Sequence, residues 1–152
     1  VELGWGRPVR MPVIVIAVVY GLAWTTMSYM RGGDPLAFPW QRPIMMAIGL
    51  VLAFAEEIAV RGLILDRLAR CGTSRIIQIV VTAGIMAVYH GVVGHSVWPS
   101  YMVSSFVLFG VLSVIYVYGG RSLTPVYIAH AMAHFLGDPA LMQGVLYGVG
   151  AG

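Results

Sequence analysis

The sequence predicts an all-α, polytopic transmembrane helical bundle of about five to six spans, folded as a single domain over residues 1–152. Three observations predict it. Hydrophobic residues make up 59% of the chain and charged residues 10%, where an ordinary soluble domain carries about a quarter charged. The apolar residues run in blocks of bilayer-spanning length rather than alternating with polar ones. Glycine, proline and arginine collect between the blocks, where helix ends and loops use them.

The elements follow in order. Met11–Met30 is the first span, about 20 residues, the length a bilayer core requires. Nothing before it reads as a cleavable signal, so it is expected to be a retained helix. The loop 31–42 carries Gly32, Gly33, Pro35 and Pro39 as breakers, with Phe38 and Trp40 suited to the headgroup level. The second span is Pro43–Leu65, with proline at its start, where a missing N–H does no harm. The third is Arg75–Val93. The fourth is Trp98–Tyr118, with aromatic anchors at both ends. The fifth is Ser122–Leu136, with Pro125 in its first turn. The segment Pro139–Val149 is apolar and glycine-rich and is open between a short sixth helix, a re-entrant segment and a frayed end.

All the basic charge is arginine, and it lies mostly at helix ends. The net charge of +3 is too small to argue for a nucleic-acid partner; the bilayer is the expected one. Arg7, Arg10, Arg67, Arg70, Arg75 and Arg121 fall on one side of the predicted topology, against Arg31 and Arg42 on the other. This bias puts the N-terminus in the cytoplasm. Cys71 is alone, so no internal disulfide forms.

The informative residues are the polar ones inside spans. "AEEIAVRG", residues 55–62, places Glu56, Glu57 and Arg61 deep in the second span. A charged side chain at the bilayer centre costs at least about 2.5–3.5 kcal/mol, so these groups must face protein, water or a partner. Glu57 and Arg61 are spaced i,i+4 with the acid first, the better order for pairing on one helix face. Glu56 is rotated about 100° away and cannot share that pairing equally. All four histidines lie in two short stretches: His90 and His95 in and just after the third span, His130 and His134 at i,i+4 on the fifth. If the second, third and fifth spans pack together, the carboxylates meet imidazoles inside the membrane. Taken singly, each residue has a structural reading: an ion pair, a core histidine, interhelical hydrogen bonding. His95 reads as a loop residue and Asp138 as a helix-end residue.

Together these residues resemble the CPBP intramembrane proteases, the Abi or CAAX-protease family typified by the Rce1 endopeptidase. The family pattern is E-E-x-x-x-R, then F-x-x-x-H, then H-x-x-x-N, on separate helices. Glu56-Glu57-x-x-x-Arg61 matches the first. Met86-x-x-x-His90 matches the second with methionine for phenylalanine. His130-x-x-x-His134 matches the third with histidine for asparagine. The resemblance covers about residues 50–138. It implies a glutamic-type intramembrane endopeptidase that needs no cofactor. Glu56 would activate water with His90 assisting, His130 and His134 would stabilise the oxyanion, and Glu57 and Arg61 would hold the site. The implied substrate is a membrane-embedded or lipid-anchored peptide or C-terminal tail. The implied location is a bacterial cytoplasmic membrane.

The histidine at 134 keeps a second mechanism open. His-x-x-x-His on a helix has metal-ligand spacing, so His90, His130 and His134 could hold zinc in a membrane hydrolase. A non-catalytic scaffold or immunity protein of the same fold is a third reading. A haem protein leaves the carboxylates unexplained, and a transporter would be expected to show an internal repeat that the sequence lacks.

Overall fold

The computed structural model describes residues 4–30, 42–93 and 98–137. Among them every regular element is helical and there is no strand. The helices are α1 (Met11–Met30), α2 (Arg42–Glu57), α3 (Asp66–Arg70), α4 (Arg75–Val93), α5 (Trp98–Tyr118) and α6 (Leu123–Gly137). A π-helical segment, Ile58–Leu65, joins α2 to α3. Helical backbone continues through Glu57, Leu65 and Asp66, so α2, the π segment and α3 form one rod. The described residues therefore form five rods.

Local chemistry explains the ends. Pro12, Pro43, Pro99 and Pro125 each lie in the first turn of a helix, where their fixed φ fits and no N–H is missed. Gly72 closes α3 at φ +75, and Thr73 N–H reaches back to the Leu68 carbonyl at 3.2 Å, satisfying a terminal acceptor. Ser74 then opens α4, its carbonyl accepting from Gln78 N–H at 3.0 Å. The α5–α6 turn needs left-handed backbone at Gly120 and Arg121 (φ +89 and +57). Arginine tolerates this unusual conformation with its guanidinium held by the Gln78 Oε1 of α4 at 2.7 Å.

Packing makes α6 the centre of the bundle. It touches α1, α2, α5 and the π segment, while α4 packs chiefly on α5. Phe109, Leu112, Tyr116, Leu123 and Val126 form the core between α5 and α6. A buried Thr82–Ser113 hydroxyl pair, 3.0 Å apart, ties α4 to α5. One end of the bundle gathers the arginine-bearing segments. Leu123 N–H bonds the Gly4 carbonyl at 3.2 Å, and Gln78 joins Arg121 to the Thr73 carbonyl.

Two stretches, Arg75–Val92 and Pro99–Tyr118, are long and apolar enough to cross a membrane, and Met11–Met27 is a shorter apolar helix. The second rod is interrupted by Glu56, Glu57 and Arg61, and α6 has only 15 residues. The outward faces are nonetheless greasy: Ile16, Val19, Ile76, Val88, Val103 and Val107 are all exposed. In water such faces would aggregate, and in lipid they are at home.

The predicted boundaries of the first, third and fourth spans coincide with α1, α4 and α5. The second differs. Its helix does not stop at Leu65 but runs on to Arg70, and its middle is π-helical. Asp66 and Arg70, paired at 2.8 Å, carry the helix one further turn. His95, Asp138, most of the loop 31–42 (residues 31–41) and the segment 139–149 lie outside the described residues.

Candidate active site

The site lies where the second rod meets α5 and α6. Glu57 is its fixed point, fully buried with Arg61. One oxygen, Oε1, accepts from Arg61 Nη1 at 2.8 Å and from His130 Nδ1 at 2.8 Å. The second terminal nitrogen of Arg61, Nη2, donates to the Phe109 carbonyl at 2.9 Å, and the guanidinium lies 5.0 Å from the Phe109 ring centroid. Arg61 therefore clamps the second rod to α5, and Glu57 clamps it to α6. Val60, Arg61 and Gly62 are buried in succession. The underwound π turn accommodates this wide buried face, and π turns gather at functional sites.

The hydrogen bonds fix the tautomers. A carboxylate already accepting from arginine can only accept, so His130 donates Nδ1–H and turns Nε2 outward. His134 Nε2 lies 3.0 Å from His130 Nε2. With His130 neutral, His134 is the donor of that pair, and its own Nδ1 carries the lone pair. His134 Nδ1 has no partner among the described residues. Glu56 Oε2 lies 3.6 Å from His130 Nε2 and has no hydrogen-bond partner among them. Glu56 Oε2 and His134 Nε2 thus both lie close to His130 Nε2, and one ligand atom from each of the three residues falls within 4.8 Å of the others.

His90 is buried but placed differently. Its Nδ1 donates to the Met86 carbonyl at 2.8 Å, as a carbonyl can only accept. Its ring packs on Phe109 (centroids 5.1 Å), which also meets His130 edge to face at 5.0 Å. The converging donor set is accordingly Glu56, His130 and His134, not the His90, His130, His134 set that spacing offered for zinc. The physical reason is Phe109: its side chain takes up packing contacts with both rings.

Phe109 is also the group that sequence reasoning missed. Its carbonyl and its ring organise three site residues, and a phenylalanine in an apolar span gives no signal of that. Gly49 is similar. A Cβ built there would lie 2.8 Å from His134 Cβ, so the bare backbone of α2 lets α6 approach. Gly49→Ala must push α6 outward. It is expected to cost about 1–3 kcal/mol and to lower activity while every polar site residue remains. Thermal melting and turnover of the same sample check both halves.

Among the described residues an all-helical bundle buries an acid–imidazole cluster behind apolar outer faces, and two of its helices are long and apolar enough to cross a membrane. The particular family is the Rce1-like one, described as type II CAAX prenyl endopeptidase Rce1-like, whose match spans residues 38–136. The chain belongs to that family, a family of membrane proteases. No curated protein and no solved structure matches it.

Proposed function

We propose that the chain is a glutamic-type intramembrane endopeptidase. It cleaves a peptide bond in the C-terminal tail of a membrane-embedded or lipid-anchored protein, prenylated CAAX tails being the substrate class the family description names. The observation that carries this is the convergence of Glu56 Oε2, with no protein hydrogen bond among the described residues, on the paired Nε2 atoms of His130 and His134.

The step follows from those groups. Glu56 takes a proton from water as the water oxygen attacks the scissile carbonyl carbon. His90, whose Nδ1–H is engaged by Met86, offers Nε2 as an acceptor to hold that water. His134 Nε2–H, which rests on His130 Nε2, turns to the developing oxyanion, and His130, oriented by Glu57, positions it. Glu56 then returns the proton to the leaving amine as the C–N bond breaks. The products are a new carboxylate and a free amine, and no cofactor takes part. The apolar outer faces support a bundle embedded on all sides, with five spans. The clustering of the arginine-bearing segments at one end supports an N-terminus on the cytoplasmic side of a bacterial inner membrane.

The test is cleavage of a farnesylated CAAX peptide by purified protein in detergent, run in ¹⁸O-water with and without chelator. The expected result is one ¹⁸O in the new carboxyl group, at a rate the chelator leaves unchanged. Loss of cleavage on chelation, restored by zinc, overturns the glutamic mechanism. No cleavage of prenylated or unprenylated tails favours the scaffold reading.

A further inference from the structure

We infer that Trp5 is a latch that holds α2 closed on α6, and that its release lets α2 swing out and open a side entrance to the site. The way α2 is held is the first reason. Among the described residues α2 packs chiefly on α6, whereas α6 also has α1, α5 and the π segment as neighbours. α2 is thus an edge helix. Its continuation is fixed, because Arg61 in the π segment bonds the Phe109 carbonyl of α5 at 2.9 Å. A free arm joined to a clamped arm through underwound helix can bend at the join.

Trp5 closes that arm from outside. Its ring stacks on Phe54 of α2 at 5.4 Å and meets Tyr127 of α6 edge-on at 5.7 Å, and Phe54 meets Tyr127 at 6.0 Å. The three rings bridge the α2–α6 seam. Trp5 and Phe54 are 38% and 44% exposed, so the indole can leave without crossing the core. The turn that carries it has a tied end and a free one. Trp5 stands between Gly4 and Gly6, at φ +82 and +74. The Gly4 carbonyl accepts from Leu123 N–H at 3.2 Å, and a Cβ there would lie 2.8 Å from the Arg121 carbonyl oxygen. A Cβ on Gly6 would meet nothing within 4 Å. One glycine is pinned to the start of α6 and the other is in open space, which is what a hinged strap requires.

The lever favours opening at the site. The π segment starts at Ile58, and Phe54 is much nearer to it than Gly49. A bend there moves Gly49 about twice as far as Phe54. Gly49 is where α2 rests on His134. Opening therefore uncovers the His134 side of the cluster, the side a membrane-anchored tail would approach between α2 and α6. The entrance rests on the proposed peptidase reading; the latch does not.

The experiment is maleimide labelling of Ala53→Cys, a fully buried position on α2 beside Phe54, in a chain that also carries Cys71→Ser to remove the exposed native thiol. Trp5→Ala and, separately, Gly6→Ala are added, and labelling is followed in detergent. Gly6→Ala keeps the aromatic contacts but puts a Cβ at left-handed φ, so it strains the latched turn alone. Each change is expected to speed labelling by about 5-fold or more. Ala83→Cys, buried on α4, is expected to label at an unchanged rate in the same backgrounds. Cleavage of the farnesylated tail by Trp5→Ala and Gly6→Ala, with Ala53 and Cys71 native, is expected to rise in kcat/KM while thermal stability stays equal or falls. A purely structural strap would lower both. Unchanged labelling at Ala53→Cys, or equal acceleration at Ala83→Cys, overturns the latch. Faster labelling without faster cleavage overturns the entrance. If the wild type cleaves no tail, the peptidase reading falls and the labelling alone decides the latch.

Discussion

Glu56→Gln is expected to reduce kcat for tail cleavage by about 10²–10⁴, the contribution of a positioned general base, and to leave the fold as stable as wild type or slightly more so. The two halves have separate causes. Glutamine keeps the shape but cannot take a proton from water at that position. The stability half follows from what Glu56 does not do. Its Oε2 has no hydrogen-bond partner among the described residues, and its contact with His130 is 3.6 Å, longer than a hydrogen bond. Removing a poorly paired charge from an apolar bundle relieves a burial cost rather than breaking a structure. Glu57→Gln should behave in the opposite way, losing stability together with activity, because its Oε1 serves Arg61 and His130 at once. Turnover and thermal melting of both variants separate the carboxylate that acts from the one that supports. Undiminished cleavage by Glu56→Gln would mean that another group activates the water.

Arg61→Met is expected to destabilise the bundle by about 3–5 kcal/mol, the cost of leaving a buried partner charge uncompensated. Arg61 and Glu57 have no exposed side-chain surface. Without the guanidinium, Glu57 keeps only His130, and the Phe109 carbonyl loses its donor. Pairing Arg61→Met with Glu57→Gln should recover a large part of the loss, since the orphaned charge is then gone. The double variant should still be inactive, because His130 has lost the carboxylate that aims it. Equilibrium unfolding in mixed micelles measures the coupling between the two sites. Additive single effects would show that the pair is not one unit.

The candidate site was legible in part. Glu57 and Arg61 could be paired from i,i+4 spacing and the order of their charges, and the structure has them at 2.8 Å. His130 and His134 could be put on one face for the same reason, and their Nε2 atoms meet at 3.0 Å. His90 could not be placed. Its position depends on how α4 leans on α5 and on a phenylalanine ring from α5, and neither leaves a trace in local sequence. The π segment was equally hidden. Ile58–Leu65 contains no proline, and its underwinding serves contacts made with other helices.

Local sequence sets whatever depends on neighbours along the chain. Apolar block length set the helices, proline and glycine set most of their ends, and three- and four-residue spacings set which polar groups share a face. Tertiary structure alone decided which faces meet. It brought the backbone of α5 to Arg61, let α6 settle against Gly49, and turned Glu56 rather than His90 toward the paired imidazoles. The reason is physical. Helix formation satisfies the backbone within each segment, so it can be read locally. The placing of one helix on another depends on the shapes of side chains far apart in sequence, and a buried charge finds its partner only after those shapes have packed.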